Sequence, residues 1–331
     1  MIRVYFDSGT SNTRVYLVQD NRILDRASRS IGSRDSALAG NRAVLISALK
    51  ELYDALLDKN KLQDSSIDEI WMSGMISCPS GMVEIEHIPT PVDCAALSGK
   101  VAEYAETDYF KRKIKIVPGL KTIPSGVRAT LDTVAGVNNV RGEEIEVVGV
   151  LRQYPELQTG RVVAVLPGSH TQVLFLTDGV IDDILSNVTG ELYSAVCRES
   201  IIGASVEGEE NTPIDPGLVL QGAQNVERYG FNRALYIVRS MELFSDSTLT
   251  QRRSYLEGVL NAGVMHGISS ITKDAVARIV VAGSRKQFDI ISAMNPMYPQ
   301  FTISLAEASA AEPFSVSGMI SLAENFCSED Q

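Results

Sequence analysis

The feature of this chain that most constrains its fold is a pattern that occurs twice. A β-rich run ends in a loop of glycine and hydroxyl residues, a second strand leaves the loop, and a tight turn leads into a third strand. The loops are Gly9-Thr10 and Gly168-Ser169, and the turns Asp20-Asn21 and Asp178-Gly179 follow about ten residues later in each half. Two hairpins can look alike by chance, but the shared loop chemistry favours an internal repeat.

Helices and further strands follow each repeat in an order typical of α/β proteins. The first half predicts strands at 3–7, 13–19, 23–30, 69–73 and 113–117 and helices at 41–59 and 94–104, a βββαβαβ order. The second half predicts strands at 161–166, 172–177, 180–186, 277–282 and 301–305, and helices at 142–152, 190–200, 225–244 in part, 253–269 and 315–326. Because one core rarely grows beyond about 250–300 residues, we expect two domains, 1–141 and 142–331.

The composition excludes several classes of protein. The 331 residues include 30 Lys and Arg against 41 Asp and Glu, and the net charge of −11 argues against a nucleic-acid partner. No apolar run approaches the ~20 residues that span a membrane, and the first residues do not have the form of a signal peptide. The four cysteines, of which Cys327 is the last, are scattered and predict neither zinc nor disulfides. We expect a cytoplasmic protein.

The first loop combines residues that suit phosphate and magnesium. Asp7 ends a strand, and Gly9, Thr10, Ser11 and Asn12 follow it. The backbone N–H groups of such a loop form a concave anion site, and a carboxylate beside it can hold hydrated Mg²⁺ that bridges phosphate oxygens. An ordinary hairpin loop has the same residue preferences, so this motif alone leaves both interpretations open.

Two glycine sites of the second half suit a nucleotide in the same way. They are Gly168, Ser169, His170 and Thr171 in one loop and Gly283 and Ser284 in the other. The first loop would bind phosphates, and the second would let adenosine lie against backbone. The alternatives are a plain strand-to-helix turn for the second loop and a loop-capping role for His170. The chain has no P-loop signature, so it would bind ATP without a Walker lysine.

A carboxylate near the start of a helix is the third requirement, because phosphoryl transfer to an alcohol needs a group that accepts the hydroxyl proton. Glu143 and Glu144 begin the predicted helix at 142–152, and Asp132 precedes them by about ten residues. The helix dipole would keep such a carboxylate ionised. Acidic residues are also favoured in any first helical turn, and without further context this interpretation fits the two glutamates better.

Six motifs, in order along the chain, resemble those of the 2-dehydro-3-deoxygalactonokinase family in the sugar kinase, Hsp70 and actin superfamily. The chain reads D-S-G-T-S-N-T-R at 7–14, S-G-M at 73–75, I-V-P-G-L at 116–120, V-R-G-E-E at 140–144, L-P-G-S-H-T at 166–171 and V-T-G-E-L at 188–192. The corresponding family motifs are D-W-G-T-T-N-x-R, G-M, V-P-G-L, M-R-G-E-E, L-P-G-T-H-S and M-T-G-E-L.

The resemblance implies two ribonuclease-H-like (actin-like ATPase) domains, each on a βββαβαβ mixed sheet, with a cleft between them. The domain at 1–141 would bind the acceptor and carry the first phosphate loop, and the domain at 142–331 would bind the nucleotide. It implies ATP- and Mg²⁺-dependent phosphorylation of the 6-hydroxyl of 2-dehydro-3-deoxy-D-galactonate, a small sugar acid, in galactonate catabolism. Asp7 would organise Mg²⁺, the loops at 9–12 and 168–171 would face the phosphates, and Gly283 and Ser284 would lie near adenosine. Glu143 would be the base, with Glu144 and Asp132 as rivals.

The acceptor site is where the chain departs from the family pattern. The resemblance places Gly74, Met75 and Ile76 in the acceptor loop, and the guanidinium of Arg141 offers a two-pronged match to the substrate carboxylate. Where the family continues V-G-S-R-Q-G-W, residues 76–82 read I-S-C-P-S-G-M, without the arginine and the tryptophan. The alternatives are therefore a kinase of the same fold that acts on another sugar acid or a polyol, and a non-catalytic, nucleotide-binding actin-like protein. A homodimer is one option for the oligomeric state, which the sequence does not set.

Overall fold

The computed structural model describes residues 1–208, 213–273, 275–309 and 311–326, and Cys327 lies outside these ranges. The strands are β1 (Ile2–Ser8), β2 (Thr13–Gln19), β3 (Arg22–Arg29), β4 (Glu69–Gly74), β5 (Ile88–Pro89), β6 (Ala102–Glu106), β7 (Arg112–Ile116), β8 (Leu120–Lys121), β9 (Asn139–Val140), β10 (Arg161–Leu166), β11 (His170–Thr177), β12 (Val180–Val188), β13 (Ala277–Ala282) and β14 (Phe301–Ala306).

The α-helices connect these strands. They are α1 (Ser33–Ala39), α2 (Ala43–Lys59), α3 (Cys94–Ser98), α4 (Glu143–Gln153), α5 (Gly190–Glu199), α6 (Gly203–Val206), α7 (Pro216–Tyr229), α8 (Phe231–Phe244), α9 (Leu249–Thr272), α10 (Arg285–Ala293) and α11 (Phe314–Phe326). No helix in the described ranges has the length and apolar character that crossing a membrane requires.

The first sheet has the strand order β3-β2-β1-β4-β7-β6, in which β1, β4 and β7 run parallel. Side chains alternate across it, as the period of a strand requires. Val4 and Phe6 pack into a core with Leu45 and Leu49 of α2. Asp7, which alternates with Phe6, lies on the opposite and more polar face. The carboxyl ends of β1 and β4 therefore present polar groups and backbone at one edge of the sheet.

The second sheet repeats this plan with the order β12-β11-β10-β13-β14, in which β10, β13 and β14 run parallel. The predicted turns join β2 to β3 and β11 to β12, with Asp20, Asn21, Asp178 and Gly179 at positive φ. The predicted internal repeat is confirmed, as is the mixed α/β architecture with a βββ start in each half.

Two predicted helices differ from the structure. The segment predicted as one helix at 94–104 is helical only in α3, and 102–106 form β6, which pairs antiparallel with β7. Alternating side chains in a five-residue edge strand leave little local signal, because the pairing partner stabilises it. The helix predicted in part of 225–244 is two helices, α7 and α8, separated by Gly230 at φ 79°.

The described residues form two compact units. Unit 1 contains 1–159, 177–184 and the described part of 308–326, and unit 2 contains 160–176 and 185–307. This division differs from the predicted boundary between 141 and 142, because α4 packs tightly on α11 within unit 1. The acceptor-binding and nucleotide-binding roles of the two halves stay predictions.

Candidate active site

The first glycine loop is closed by its own backbone and by α1. The N–H group of Gly9 donates to the carbonyl of Asn12 at 2.8 Å, and the N–H group of Arg34 donates to the carbonyl of Thr10 at 3.0 Å. Gly32 permits this approach, because a Cβ atom there would lie 2.4 Å from the Thr10 carbonyl oxygen. The conformation of the loop is therefore fixed before any ligand binds.

Asp7 lies beside this loop with 18% of its side chain exposed. Arg14 Nη1 donates to Oδ2 of Asp7 at 3.3 Å, and Asp7 also forms a hydrogen bond with the side chain of Ser315. Burial raises the pKa of Asp7, and Arg14 and Ser315 oppose that rise. Among the described residues, no three His, Cys, Asp or Glu side chains form a metal cage. A single carboxylate oxygen donor fits Mg²⁺, which keeps several of its waters and bridges to substrate phosphates.

Two glycines bring the ends of β1 and β4 against the start of α4. Gly74 pairs with Ser8 and has φ 80°, and a Cβ atom there would lie 2.5 Å from the Ser8 carbonyl oxygen. Gly142 has φ 118°, and its Cβ atom would lie 3.3 Å from the Cα atom of Gly74. Side chains at either position would be strained. The helix that begins with Glu143 thus starts next to the predicted acceptor loop.

Three glutamates of α4 have different surroundings. Both carboxylate oxygens of the fully buried Glu144 accept the N–H group of Gly142, at 2.9 and 2.7 Å. The half-buried Glu143 accepts the N–H group of Arg141 at 3.1 Å. Burial raises the pKa of Glu144 to about 8, and burial together with the charges of Asp7 and Glu143 does the same for Glu146. Asp132, the other rival for the base, is exposed between β8 and β9.

Glu146 is not among the residues predicted from the sequence. The signal that could have found it is its position three residues after Glu143, which places the two carboxyl groups on the same side of a helix.

Arg141 is committed to protein contacts. Its Nη1 atom donates to the carbonyl and the hydroxyl of Ser77 at 2.7 and 2.5 Å. Its Nη2 atom donates to the carbonyl of Ile85 at 3.2 Å and lies 3.1 Å from Nδ1 of His87. Burial and the charge of Arg141 lower the pKa of His87 to about 4, so His87 is neutral and accepts at Nδ1. Both terminal nitrogens of Arg141 therefore tie the segment 77–87 to the start of α4.

The predicted acceptor loop follows β4. Ile76 is fully buried in the core of unit 1, so only its backbone is available to a ligand. Met75 is partly exposed, and Gly74 contributes backbone.

Unit 2 contains a cavity of about 270 Å³ beside the second glycine loop. Three predicted residues line it, Gly168, Thr171 and Ser284, together with Lys286 and Asn261, which the sequence analysis missed. Its wall is tight, because a Cβ atom at Gly190 would lie 2.4 Å from the carbonyl oxygen of Gly168. A largely apolar cavity with a few polar groups on its wall suits a nucleoside.

The other predicted residues of unit 2 surround this cavity without lining it. The backbone carbonyl of Ser169 accepts the N–H group of Glu191 at 2.8 Å, and Nε2 of the exposed His170 lies 3.1 Å from Oε2 of Glu191. Gly283 precedes Ser284, whose hydroxyl caps α10 by accepting the N–H group of Gln287. Lys286 and Asn261 lie on helices, where the sequence offers no motif that separates them from ordinary surface residues.

Comparison with known proteins gives consistent results. A model of the 2-keto-3-deoxy-galactonokinase family matches residues 7–294. The chain is 26% identical over 278 residues to a probable 2-dehydro-3-deoxygalactonokinase of Rhizobium meliloti, covering 80% of this chain and 81% of the relative. It is 21% identical over 281 residues to the 2-dehydro-3-deoxygalactonokinase of Escherichia coli, covering 85% of both.

The likeness to solved structures concerns the fold. A protein of Sinorhizobium meliloti assigned to the 2-dehydro-3-deoxygalactonokinases superposes with a TM-score of 0.75 at 19% identity, covering 99% of both chains. Component A of the (R)-2-hydroxyglutaryl-CoA dehydratase of Acidaminococcus fermentans gives 0.50 at 10% identity, over 98% of this chain and 99% of the other. The fold is thus the two-domain, actin-like fold that the sequence predicts.

Proposed function

The chain belongs to the 2-keto-3-deoxy-galactonokinase family, and from that membership we propose that it transfers the terminal phosphoryl group of ATP to the 6-hydroxyl of 2-dehydro-3-deoxy-D-galactonate. It is a phosphotransferase of galactonate catabolism. The observation that carries the proposal is the meeting of β1, β4 and α4 at Gly74 and Gly142. This meeting brings a carboxylate on β1, the acceptor loop and the first turn of α4 to one edge of a sheet.

Each unit carries one glycine loop that we assign to phosphate binding. We assign phosphate contacts to Gly9, Thr10, Ser11 and Asn12 in unit 1 and to Gly168, Ser169, His170 and Thr171 in unit 2. Adenosine occupies the cavity lined by Ser284 and Lys286, with Gly283 behind it. Asp7 would hold Mg²⁺ through its carboxylate, and the ion would supply positive charge for the phosphate oxygens. These assignments rest on exposed loop backbone, a cavity of nucleoside size and a single hard oxygen ligand.

The base in this proposal is Glu143. It accepts the proton of the acceptor hydroxyl as that oxygen forms its bond to phosphorus and the bond from phosphorus to the ADP oxygen breaks. Glu144 is the poorer candidate, because both of its oxygens accept the N–H group of Gly142 and it is fully buried. The positive end of a helix dipole favours a carboxylate in the first turn, where Glu143 lies.

The test is a coupled assay of ADP release with Mg-ATP and a panel of acceptors. The panel contains 2-dehydro-3-deoxy-galactonate, its gluconate epimer, galactonate, glycerol and a control without acceptor. We expect fast release with the first compound, and a phosphorus–proton coupling in the NMR spectrum of the product that places phosphate on O6. Release only with another compound would keep the kinase and reject the acceptor. If ATP binds normally but none of a wider set of acids and polyols supports ADP release, the proposed kinase activity is rejected.

A further inference from the structure

A second arginine contacts the acceptor loop, and the sequence analysis did not assign it. Arg42 precedes the first residue of α2, is exposed, and its Nε atom donates to the carbonyl of Pro79 at 2.8 Å. Within the described ranges, its Nη1 and Nη2 atoms have no hydrogen-bond or ion-pair partner. Arg141, the other arginine bonded to this loop, has both terminal nitrogens engaged by the segment 77–87. Of the two arginines that bond to this loop in the described part of the chain, Arg42 is the one that presents a two-donor edge to solvent.

The position of Arg42 relative to the loop is fixed by the core. Ile76 and Met82 anchor the two ends of the loop in the same apolar cluster that receives Leu45, in the first turn of α2. The loop leaves the carboxyl end of β4, next to the carboxyl end of β1. Ligands of α/β proteins bind at the carboxyl ends of parallel strands. Arg42 is thus held at the mouth of the proposed acceptor site.

The sequence of the loop gives the same location an independent significance. Pro79 occupies the position at which the family pattern V-G-S-R-Q-G-W has its arginine. The structure places a guanidinium group at the carbonyl of this residue, from α2 instead of from the loop itself. Arg42 therefore supplies, beside the loop, a positive charge that the sequence of the loop itself lacks.

We propose that Arg42 binds the carboxylate of the acceptor. Its two terminal nitrogens are arranged for a bidentate contact with a carboxylate, and the bond from Nε to Pro79 holds the plane of the guanidinium group. This inference rests on the proposed function and specifies it further, because it makes an acid, and not a neutral polyol, the substrate class of this chain. Arg141 is then a positioning residue that holds the segment 77–87.

The experiment compares Arg42→Gln, Arg42→Lys and the wild-type protein on 2-dehydro-3-deoxy-galactonate and on its methyl ester, which has no charge. We expect Arg42→Gln to raise the KM for the acid roughly 10- to 100-fold, the range for a charge-assisted contact, with the KM for ATP unchanged. Arg42→Lys should recover part of the loss, because it keeps the charge but not the planar pair of donors. The wild-type preference for the acid over the ester should disappear in Arg42→Gln.

A rescue variant and a matched control make the result specific. The double variant Arg42→Gln with Pro79→Arg returns a guanidinium to the loop and should lower the KM for the acid again. Arg22→Gln removes an exposed arginine at the turn end of the β2–β3 hairpin. It should leave the KM for the acid and the KM for ATP unchanged. If the wild type is active and Arg42→Gln has an unchanged KM for the acid, the role of Arg42 is overturned and the proposed function is not. A wild-type protein inactive on the acid would overturn the proposed function and this inference with it.

Discussion

Glu143, Glu144 and Glu146 all lie in the first turn of one helix, yet their surroundings give them different chemistry. Both side-chain oxygens of Glu144 accept the backbone N–H group of Gly142. Glu146 lies where the charge of Asp7 adds to the effect of burial. Glu143 is the first residue of α4, it is partly exposed, and it lies beside the acceptor loop. Sequence alone could not rank these side chains, because the ranking depends on which atoms each carboxylate contacts.

The first prediction concerns Glu143. Replacement by Gln removes the proton acceptor without changing the shape of the side chain, so kcat should fall by about 100- to 10,000-fold, the usual range for general base catalysis. The Kd for ATP should change little, since the cavity of unit 2 does not contain Glu143. The matched variant is Asp132→Asn, which changes an exposed carboxylate between β8 and β9 and should retain activity. The opposite pattern, with Asp132→Asn inactive and Glu143→Gln active, would assign the base to Asp132.

The second prediction concerns pH and Glu146. Its pKa is about 8 in the folded protein and about 4.3 in an unfolded chain, so the folded state binds more protons between these values. Stability therefore falls as pH rises through that interval, by at most about 1.4 kcal/mol per pH unit for one group. Thermal melting between pH 5.5 and 8.5 should show a smaller loss of stability for Glu146→Gln than for the wild type. Glu199→Gln, at an exposed site, should keep the wild-type slope; identical slopes for all three proteins would refute the assignment.

Arg141 shows most clearly why the candidate site was only partly predictable. The motif V-R-G-E-E located it correctly next to the start of α4. Its partners Ser77, Ile85 and His87 lie 54 to 64 residues earlier in the chain. No local pattern encodes such contacts. Only the structure shows that the terminal nitrogens of Arg141, which the sequence suggests for a substrate carboxylate, already bond to protein atoms.

Helices α4 and α11 pack with their backbones in direct contact. A Cβ atom at Gly149 would lie 1.8 Å from the carbonyl oxygen of Phe314, and one at Gly318 would lie 1.9 Å from that of Ile145. The contact is reciprocal, since each helix supplies one glycine and one carbonyl. Because α4 carries Glu143 at its start, this crossing sets the position of the proposed base.

The third prediction tests this crossing with two glycine variants. Gly318→Ala inserts a methyl group where backbone already lies, and it should lower the free energy of unfolding by about 1–3 kcal/mol. Gly263→Ala, inside α9, has no atom within 4 Å of the new Cβ and should raise it by about 0.4–1 kcal/mol. Urea unfolding measures both. Equal effects of the two substitutions would mean that the helices separate at little cost.

Elements with a strong period were predictable, and short ones were not. The apolar positions of α2 recur every three to four residues, and the helix predicted at 41–59 is confirmed at Ala43–Lys59. The strands β8 and β9 have two residues each and carry no period at all. The edge strand β6 was mistaken for the end of α3, because its pairing with β7 is not visible locally.

Unit 1 is assembled from segments that are distant in sequence. The described part of 308–326 supplies α11, whose buried residues Met319, Ile320 and Leu322 belong to this unit. Residues 160–176 and 185–307 form unit 2, which lies between the parts of unit 1 in the sequence. A division at one point of the chain, such as the predicted one, cannot describe this arrangement.

The fourth prediction follows from that assembly. A chain ending at Glu307 lacks α11 and leaves the face of α4 that carries Gly149 uncovered, so unit 1 should fail to fold. Urea unfolding should give a reduced m-value, since less surface is buried. Limited proteolysis should cleave within 1–159 first and spare 185–307. A full-length m-value for the shortened chain, or protection of 1–159, would show that unit 1 does not need α11.

The interrupted course of unit 1 also has a consequence for synthesis on the ribosome. The nascent chain delivers α4 early, but α11 emerges only after all of unit 2 has been translated. At about 5–20 residues per second, the intervening segment keeps α4 without its partner helix for on the order of 10 s. We therefore expect unit 2 to fold before unit 1 is complete. During that time the apolar face of α4 that α11 later covers is exposed, and chaperones can bind it.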